Sequence, residues 1–386
     1  MSKRVYWGLE LGSSKISLCG IKTPSDMFYL ESFSSPHIDG GVVKDFYGLV
    51  EFLDKIFSEA EKKTSFQIDS LVCCLKSKHI VVKNSFFKFA LTSEKERLIN
   101  RRDVEYLKEQ SSLLGRSWDQ KLLLSIPQYF LVDESQRIYE PQGLWARSLG
   151  GEFMLFLCNV SFYDNLRKLF EYLGRDLKGL LSSSYASYVA AERSFKEGVL
   201  IDMGEKLTEV LVFRDNRIIK RYLLDFGGAD LDIKMSQSLE VSLELCQRIR
   251  QDFLDFNASE NEELMLKIGD DYLSYKVRDI TKIIEEPLKE FVCSLKNCFQ
   301  QDSLSSFLRS NIYLCGGVAL TKGLRRYFGS LFEPGAELVV LQNPAPSHEL
   351  SSLGCAKYNF SLSQKTPDKG LGRAIRFLKA LYQEYL

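Results

Sequence analysis

The sequence has only three histidines, His37, His79 and His348, and no Cys-x-x-Cys pair. Without His or Cys at ligand spacing a zinc site lacks donors, and a Ser-His-Asp hydrolase has little to draw on. An excess of either charge is also missing. The 51 Lys+Arg balance 51 Asp+Glu, which argues against a general nucleic-acid binder, because neutralising phosphates takes a basic surplus. No apolar run reaches the roughly 18–20 residues of a spanning helix, so the chain is expected to be soluble or peripheral. Its start, MSKRVYWGLELG, carries no long apolar segment or small-residue cleavage site, and export is not expected. The nine cysteines are odd in number and sit mostly in apolar segments, the pattern of buried thiols in a reducing cytosol.

What is present is enough apolar sequence, 45% of 386 residues, for at least two hydrophobic cores. Residues 5–11 and 16–21 are predicted strands joined by the tip Gly12-Ser13-Ser14-Lys15. Phe46, Leu49, Val50, Leu53, Ile56, Phe57 and Ala60 recur at helical spacing, and a strand follows at 70–75. From about 80 to 158 the rhythm changes to strand (80–91), helix (102–114) and strands (121–131, 151–160), which reads as an inserted α+β subdomain. After a helix at 164–173, a second strand, polar turn, strand unit appears: 198–203, Gly204-Glu205-Lys206-Leu207-Thr208, then 209–213. Glu10 precedes the first turn and Asp202 the second, so two similar halves are expected to face one another. Stretches 231–255 and 279–300 are helical in period. Strand 311–315 ends in Gly316-Gly317 and opens onto a helix at 321–328.

Small residues in such turns let backbone N–H groups converge on phosphate oxygens. Gly12, Ser13, Ser14 and Lys15 supply one candidate cradle, and Gly204 with Thr208 a second. Gly227-Gly228, after a strand at 221–225, and Gly316-Gly317 each permit a nucleotide to approach main chain ahead of a helix N-terminus.

This ordered set resembles the actin-like ATPase superfamily. GLELGSSKISLCGI is similar to its first phosphate loop, VLIDMGEKLTEVLVF to its second and NIYLCGGVALTKGL to its adenosine loop. Within the superfamily the chain resembles the FtsA cell-division family, through Gly41-Val42-Val43-Lys44-Asp45, Leu75-Lys76-Ser77-Lys78-His79-Ile80, Pro141-Gln142-Gly143-Leu144 and the last helix. The resemblance implies an α/β actin-like fold of two RNase H-like halves. Subdomain 1A would cover 1–81 and 159–195, 1C 82–158, 2A 196–229 and 303–360, and 2B 230–302. A linker at 361–370 would lead to a C-terminal amphipathic helix at 371–386.

The same resemblance implies ATP binding by Gly12, Ser13, Ser14, Lys15, Asp202, Gly204, Thr208, Gly227, Gly228, Gly316 and Gly317, with Gln247 and Arg250 near the adenosine. It implies Mg²⁺ held through water by Glu10 and Asp202. Glu10 is one methylene longer than the family's Asp, and Glu205 and Lys206 replace small residues. Hydrolysis is therefore expected to be weak or absent, and no catalytic residue is nominated. The implied partners are a second copy in filaments, the FtsZ C-terminal peptide on 2B, and other division proteins through 1C. Lys282, Lys289 and Lys296 on the helix 279–300 are candidates to meet that acidic peptide. The alternative is a PilM-like scaffold of a type IV pilus or secretion system, on the same fold but without a detached basic tail. A small-molecule kinase of the superfamily is a third reading, for which no catalytic Asp is nominated.

In the tail, Leu371, Ala374, Ile375, Leu378, Leu381, Tyr382 and Tyr385 form one apolar stripe, with Phe377 beside it and Arg373, Arg376 and Lys379 on other faces. At about 1.5 Å per residue the helix is about 24 Å long, suited to lying in an anionic headgroup layer where each cation contributes about 1 kcal/mol. The expected location is the inner face of the cytoplasmic membrane at the division site.

Overall fold

In the computed structural model, described here for residues 4–92, 95–134, 136–191, 197–268, 271–342 and 345–365, the chain opens with β1 (Tyr6–Leu11), β2 (Lys15–Thr23) and β3 (Asp26–Ser34). A short ribbon, β4 (Ile38–Asp39) and β5 (Val42–Val43), leads to α1 (Phe46–Thr64) and β6 (Ser70–Leu75). The insertion contains β7 (Ile80–Ala90), β8 (Arg97–Leu98), α2 (Arg101–Leu114), β9 (Gln120–Val132), β10 (Gln136–Ile138), β11 (Trp145–Ala146) and β12 (Ser148–Asn159). Then α3 (Val160–Tyr172), β13 (Asp176–Ser182) and α4 (Ser183–Ala191) complete the first half.

The second half begins with β14 (Glu197–Met203), β15 (Thr208–Arg214), β16 (Arg217–Leu224), α5 (Gly228–Leu239) and α6 (Leu243–Arg248). It continues through β17 (Glu263–Ile268), β18 (Asp271–Lys276), α7 (Val277–Gln301), β19 (Asn311–Cys315), α8 (Leu324–Ser330), β20 (Leu338–Val340) and α9 (Leu350–Lys365).

The two halves repeat one topology. The first sheet runs β13-β6-β1-β2-β3 and the second β20-β19-β14-β15-β16, each with an antiparallel hairpin on one side of its founding strand and a parallel neighbour on the other. Glu10 lies opposite Cys74 on β6, and Asp202 opposite Cys315 on β19, so the two carboxylates occupy equivalent places. The insertion leaves after β6 as a separate sheet, β10-β9-β12-β7, with its own core of Leu107, Phe130, Phe153 and Leu155 under α2. Helix α2 begins with a capping box. Asn100 accepts from the N–H groups of Arg102 and Asp103, while Asp103 accepts from Asn100 N–H, which satisfies donors a helix start otherwise leaves open.

Three expectations are corrected. The single helix over 231–255 is broken, because Glu240 adopts φ 56° and Ser242 caps a new helix by accepting from Leu245 N–H. Helix α6 then passes into a π-helical turn, Ile249–Phe253. Residues 350–360, expected in the second half, belong to α9 on the first. Gly8 and Gly354 let it close in, since a Cβ on Gly8 would lie 2.2 Å from Ser352 O, and one on Gly354 1.7 Å from Ala186 O. Residues 361–365, expected as the start of the linker, are the last turns of α9. The rest of the linker and the helix 371–386, with all ten of its membrane candidates, lie outside the described residues.

Candidate functional site

The two founding strands end side by side at the floor of a cleft of about 250 Å³ between the halves. Each continues into the same tight turn: Gly12 N–H donates to Lys15 O at 3.0 Å, and Gly204 N–H to Leu207 O at 3.1 Å. A Cβ on Gly12 would sit 2.5 Å from Lys15 O, so the first turn needs glycine. Neighbouring segments pin that turn, as Ser13 Oγ accepts from Gly40 N–H and Ser14 O from Ser35 N–H, both at 3.0 Å. Lys15 stands exposed at the mouth, with no carboxylate in ion-pair range among the described residues.

The floor holds a group the sequence reading missed. Lys76 follows β6 directly, and its Nζ donates to Asp202 Oδ1 at 2.7 Å across the cleft. Burial opposes the charge on Lys76, but the combined attraction of Asp202 and Glu10 outweighs it and lifts its pKa above the ordinary lysine range. Burial pushes the Glu10 carboxyl up to about 7, against the pull of Lys76. The other oxygen of Asp202, Oδ2, is buried and has no hydrogen-bond partner among the described residues. That oxygen can accept from one donor. The Mg²⁺ expected at Glu10 and Asp202 nevertheless does not fit, because an ammonium already occupies Asp202 Oδ1 and would face the metal at close range. A group of three His, Cys, Asp or Glu placed to hold a metal is also lacking among the described residues.

The charges of the second turn are both paired, but not with each other. Lys206 does not offset Glu205; it reaches over the cleft to Asp39 at 3.0 Å. Glu205 is held by Arg250, whose Nη2 lies 2.9 and 3.2 Å from its two oxygens while Nε and Nη2 grip Asp232 at 2.7 and 2.9 Å. The adenosine-side candidate Arg250 thus lines the cleft as a buried clamp. Gln247 lies a turn earlier, outside the lining, and the π-helical turn presents Gln251 and Asp252 instead.

Gly227 and Gly228 do not face the cleft. The N–H groups of Gly228 and Ala229 donate to Gly204 O and Glu205 O at 3.0 and 2.8 Å, so the start of α5 is spent on bracing the second turn. Thr208 is likewise structural, its buried hydroxyl donating to Phe226 O at 2.7 Å. Gly316 and Gly317 do line the cleft. Gly316 has φ 91° and would place a Cβ 2.2 Å from Met203 O, whereas Gly317 faces open space. His348 lines the same wall, and its pKa is lowered by burial and by Lys15.

The lysines proposed for an acidic peptide are partly spoken for on α7. Lys282 pairs with Asp279 at 2.9 Å and Lys289 with Glu285 at 3.2 Å, while Lys296 is half-buried. Lys282 does border a groove with Arg278, Arg326 and Tyr327. Among the described residues, no helix is long and apolar enough to cross a membrane.

The cleft can therefore cradle an anion between two backbone turns, over a floor that carries its own cation. Residues 77–157 match the family described as the SHS2 domain inserted in FTSA. The cell division protein FtsA of Streptococcus pneumoniae serotype 2 (strain D39) is 22% identical over 362 residues, covering 90% of this chain and 79% of that protein. FtsA of Borreliella burgdorferi is 24% identical over 353 residues, covering 88% and 85%. Among solved structures, the PilM-PilN type IV pilus biogenesis complex aligns with a TM-score of 0.61 at 15% identity, over 95% of this chain and 100% of that one. MreB5 of Spiroplasma citri bound to AMPPNP gives 0.56 at 12%, over 97% and 100%. These structures establish an actin-like fold carrying an SHS2 insertion.

Proposed function

The chain is a distant member of the FtsA family of actin-like ATPases, and from that premise we propose that it binds ATP in the cleft and tethers FtsZ filaments to the inner face of the cytoplasmic membrane. The observation that carries this reading is the SHS2 insertion leaving the first half between β6 and α3, on a body whose two phosphate-type turns meet at one cleft. ATP binding is supported by the MreB5 structure with AMPPNP, whose fold this chain shares. Gly12 to Lys15, Gly204, Arg250, Gly316 and Gly317 are the residues we assign to the nucleotide. The clamp on Glu205 and the lysine at the floor favour holding nucleotide over turning it over.

Self-association into filaments would supply the membrane avidity that one short tail lacks, because linked weak sites bind far more tightly than either alone. The tail we assign to the membrane carries Leu371, Ile375, Phe377, Leu378, Leu381, Tyr382 and Tyr385, with Arg373, Arg376 and Lys379 for anionic headgroups. The FtsZ C-terminal peptide is assigned to the groove beside α7 that Lys282 borders, and other division proteins to the SHS2 insertion. The test is co-sedimentation of the full chain and a 371–386 deletion with anionic vesicles, with and without FtsZ. The full chain is expected to pellet and to bring FtsZ with it. Unchanged pelleting of the deleted chain would overturn the tether.

A further inference from the structure

The lysine at the floor has a consequence for which form of nucleotide this cleft accepts. Lys76 is placed by the parallel strand beside β1, one residue past the buried Leu75, and its side chain is only 13% exposed. Its Nζ lies 2.7 Å from Asp202 Oδ1 and 3.0 Å from where a Cβ on Gly204 would be, which puts the ammonium at the entrance of the second turn. Among the described residues its recorded acceptor is Asp202, so of three N–H donors two remain for a ligand. The same cleft is bordered by the first turn and by Lys15, which has no carboxylate in ion-pair range among the described residues.

Resting on the nucleotide-binding reading, we propose that the Lys76 ammonium stands where a metal would otherwise bridge Asp202 and the phosphates, so that this chain binds a nucleoside di- or triphosphate as the metal-free anion. The placement of the cation supports it: Lys76 already answers Asp202, so a divalent ion added between the carboxylates would meet a fixed ammonium bonded to one of them. Mg²⁺ also demands near-octahedral oxygen ligation, and here one of Asp202's two oxygens is already taken. A primary ammonium, by contrast, is a compact charge whose freely rotating donors suit phosphate oxygens.

The experiment is isothermal titration of the full chain with ATP in excess Mg²⁺ and in excess EDTA, repeated with Lys76→Ser. The native chain is expected to bind ATP with affinities that agree within about threefold in the two buffers. Lys76→Ser is expected to lose about 10- to 100-fold in EDTA, the effect of one charged hydrogen bond, and to regain affinity in Mg²⁺ now that Asp202 is free. Native binding that requires Mg²⁺ would overturn the inference and leave the nucleotide reading standing. So would metal-independent binding that Lys76→Ser leaves unchanged. Absence of ATP binding in both buffers would instead overturn the nucleotide reading itself. The native titrations decide even if Lys76→Ser does not fold.

Discussion

Replacing Arg250 by methionine removes the one cation that two carboxylates share. The arginine side chain is 3% exposed, that of Asp232 5% and that of Glu205 15%, so water cannot take over its role. Breaking a buried pair by deleting one partner costs about 3–5 kcal/mol, because a charge is left without compensation. A second route gives a similar size: two carboxylates about 5 Å apart at an effective dielectric of about 20 repel by about 3 kcal/mol. Relaxation is limited, since Gly228 sits against the guanidinium, where even a Cβ would approach its central carbon to 2.6 Å. Arg250→Met is therefore expected to lower unfolding free energy by about 3–5 kcal/mol in urea denaturation followed by far-UV circular dichroism. Adding Asp232→Leu removes the more deeply buried orphan and is expected to recover more than half of the loss. Adding Glu205→Gln instead neutralises the orphaned charge that lines the cleft and is expected to recover part of the stability as well. A loss below about 1 kcal/mol for Arg250→Met, or no recovery in either double variant, would refute the argument that the clamp is a compensated buried charge.

Two further outcomes follow from the packing. Gly316→Ala must place a Cβ against Met203 O at φ 91° and is expected to cost at least about 1–3 kcal/mol in backbone strain, whereas Gly317→Ala, with nothing within 4 Å, should change Tm little; equal effects would contradict the turn geometry. Thiol labelling of the native chain should show one fast cysteine, Cys293, because Cys19, Cys73, Cys74, Cys158, Cys246, Cys315 and Cys355 are buried, and burial raises the pKa of Cys158 to about 12 and that of Cys246 to about 11. Fast labelling of any of those seven before denaturation would count against the core as described.

Much of the fold was legible because its strongest signals are local. The β1–β2 hairpin, α1, β6, the insertion and the second hairpin all carry periodicity or turn chemistry that a single stretch displays. Among the elements that went unread, β13, α4 and α9 depend on partners far away, whereas β3 and the hairpin β17–β18 pair with sequence neighbours and went unread all the same. Helix α9 in particular is small and polar enough to pass as linker at its end, and only its fit against Gly8 and Ala186 makes it core. At the site the turns were legible and the charges were not. Which lysine answers Glu205 or Asp202 depends on how the halves meet, and Lys206 and Lys76 both chose partners across the cleft. Lys76 did have a signal: it follows β6 as Gly316 follows β19, so extending the repeat from the first strands to their parallel neighbours marks it as a floor residue.

The packing of α9 on β1 also sets an order of events at the ribosome. Trp7 O accepts from Asn359 Nδ2 at 3.0 Å, a contact spanning 352 residues, and Ser32 Oγ donates to Glu349 at 2.5 Å. The second half draws its core from Val199 to Leu338 and is complete in the emerging chain before α9 exists. The first half, although made first, stays open along one face until α9 has been synthesised. The face of β1, β2 and β6 that α9 covers then awaits that helix, so during synthesis the N-terminal half is the part that a chaperone has to shield.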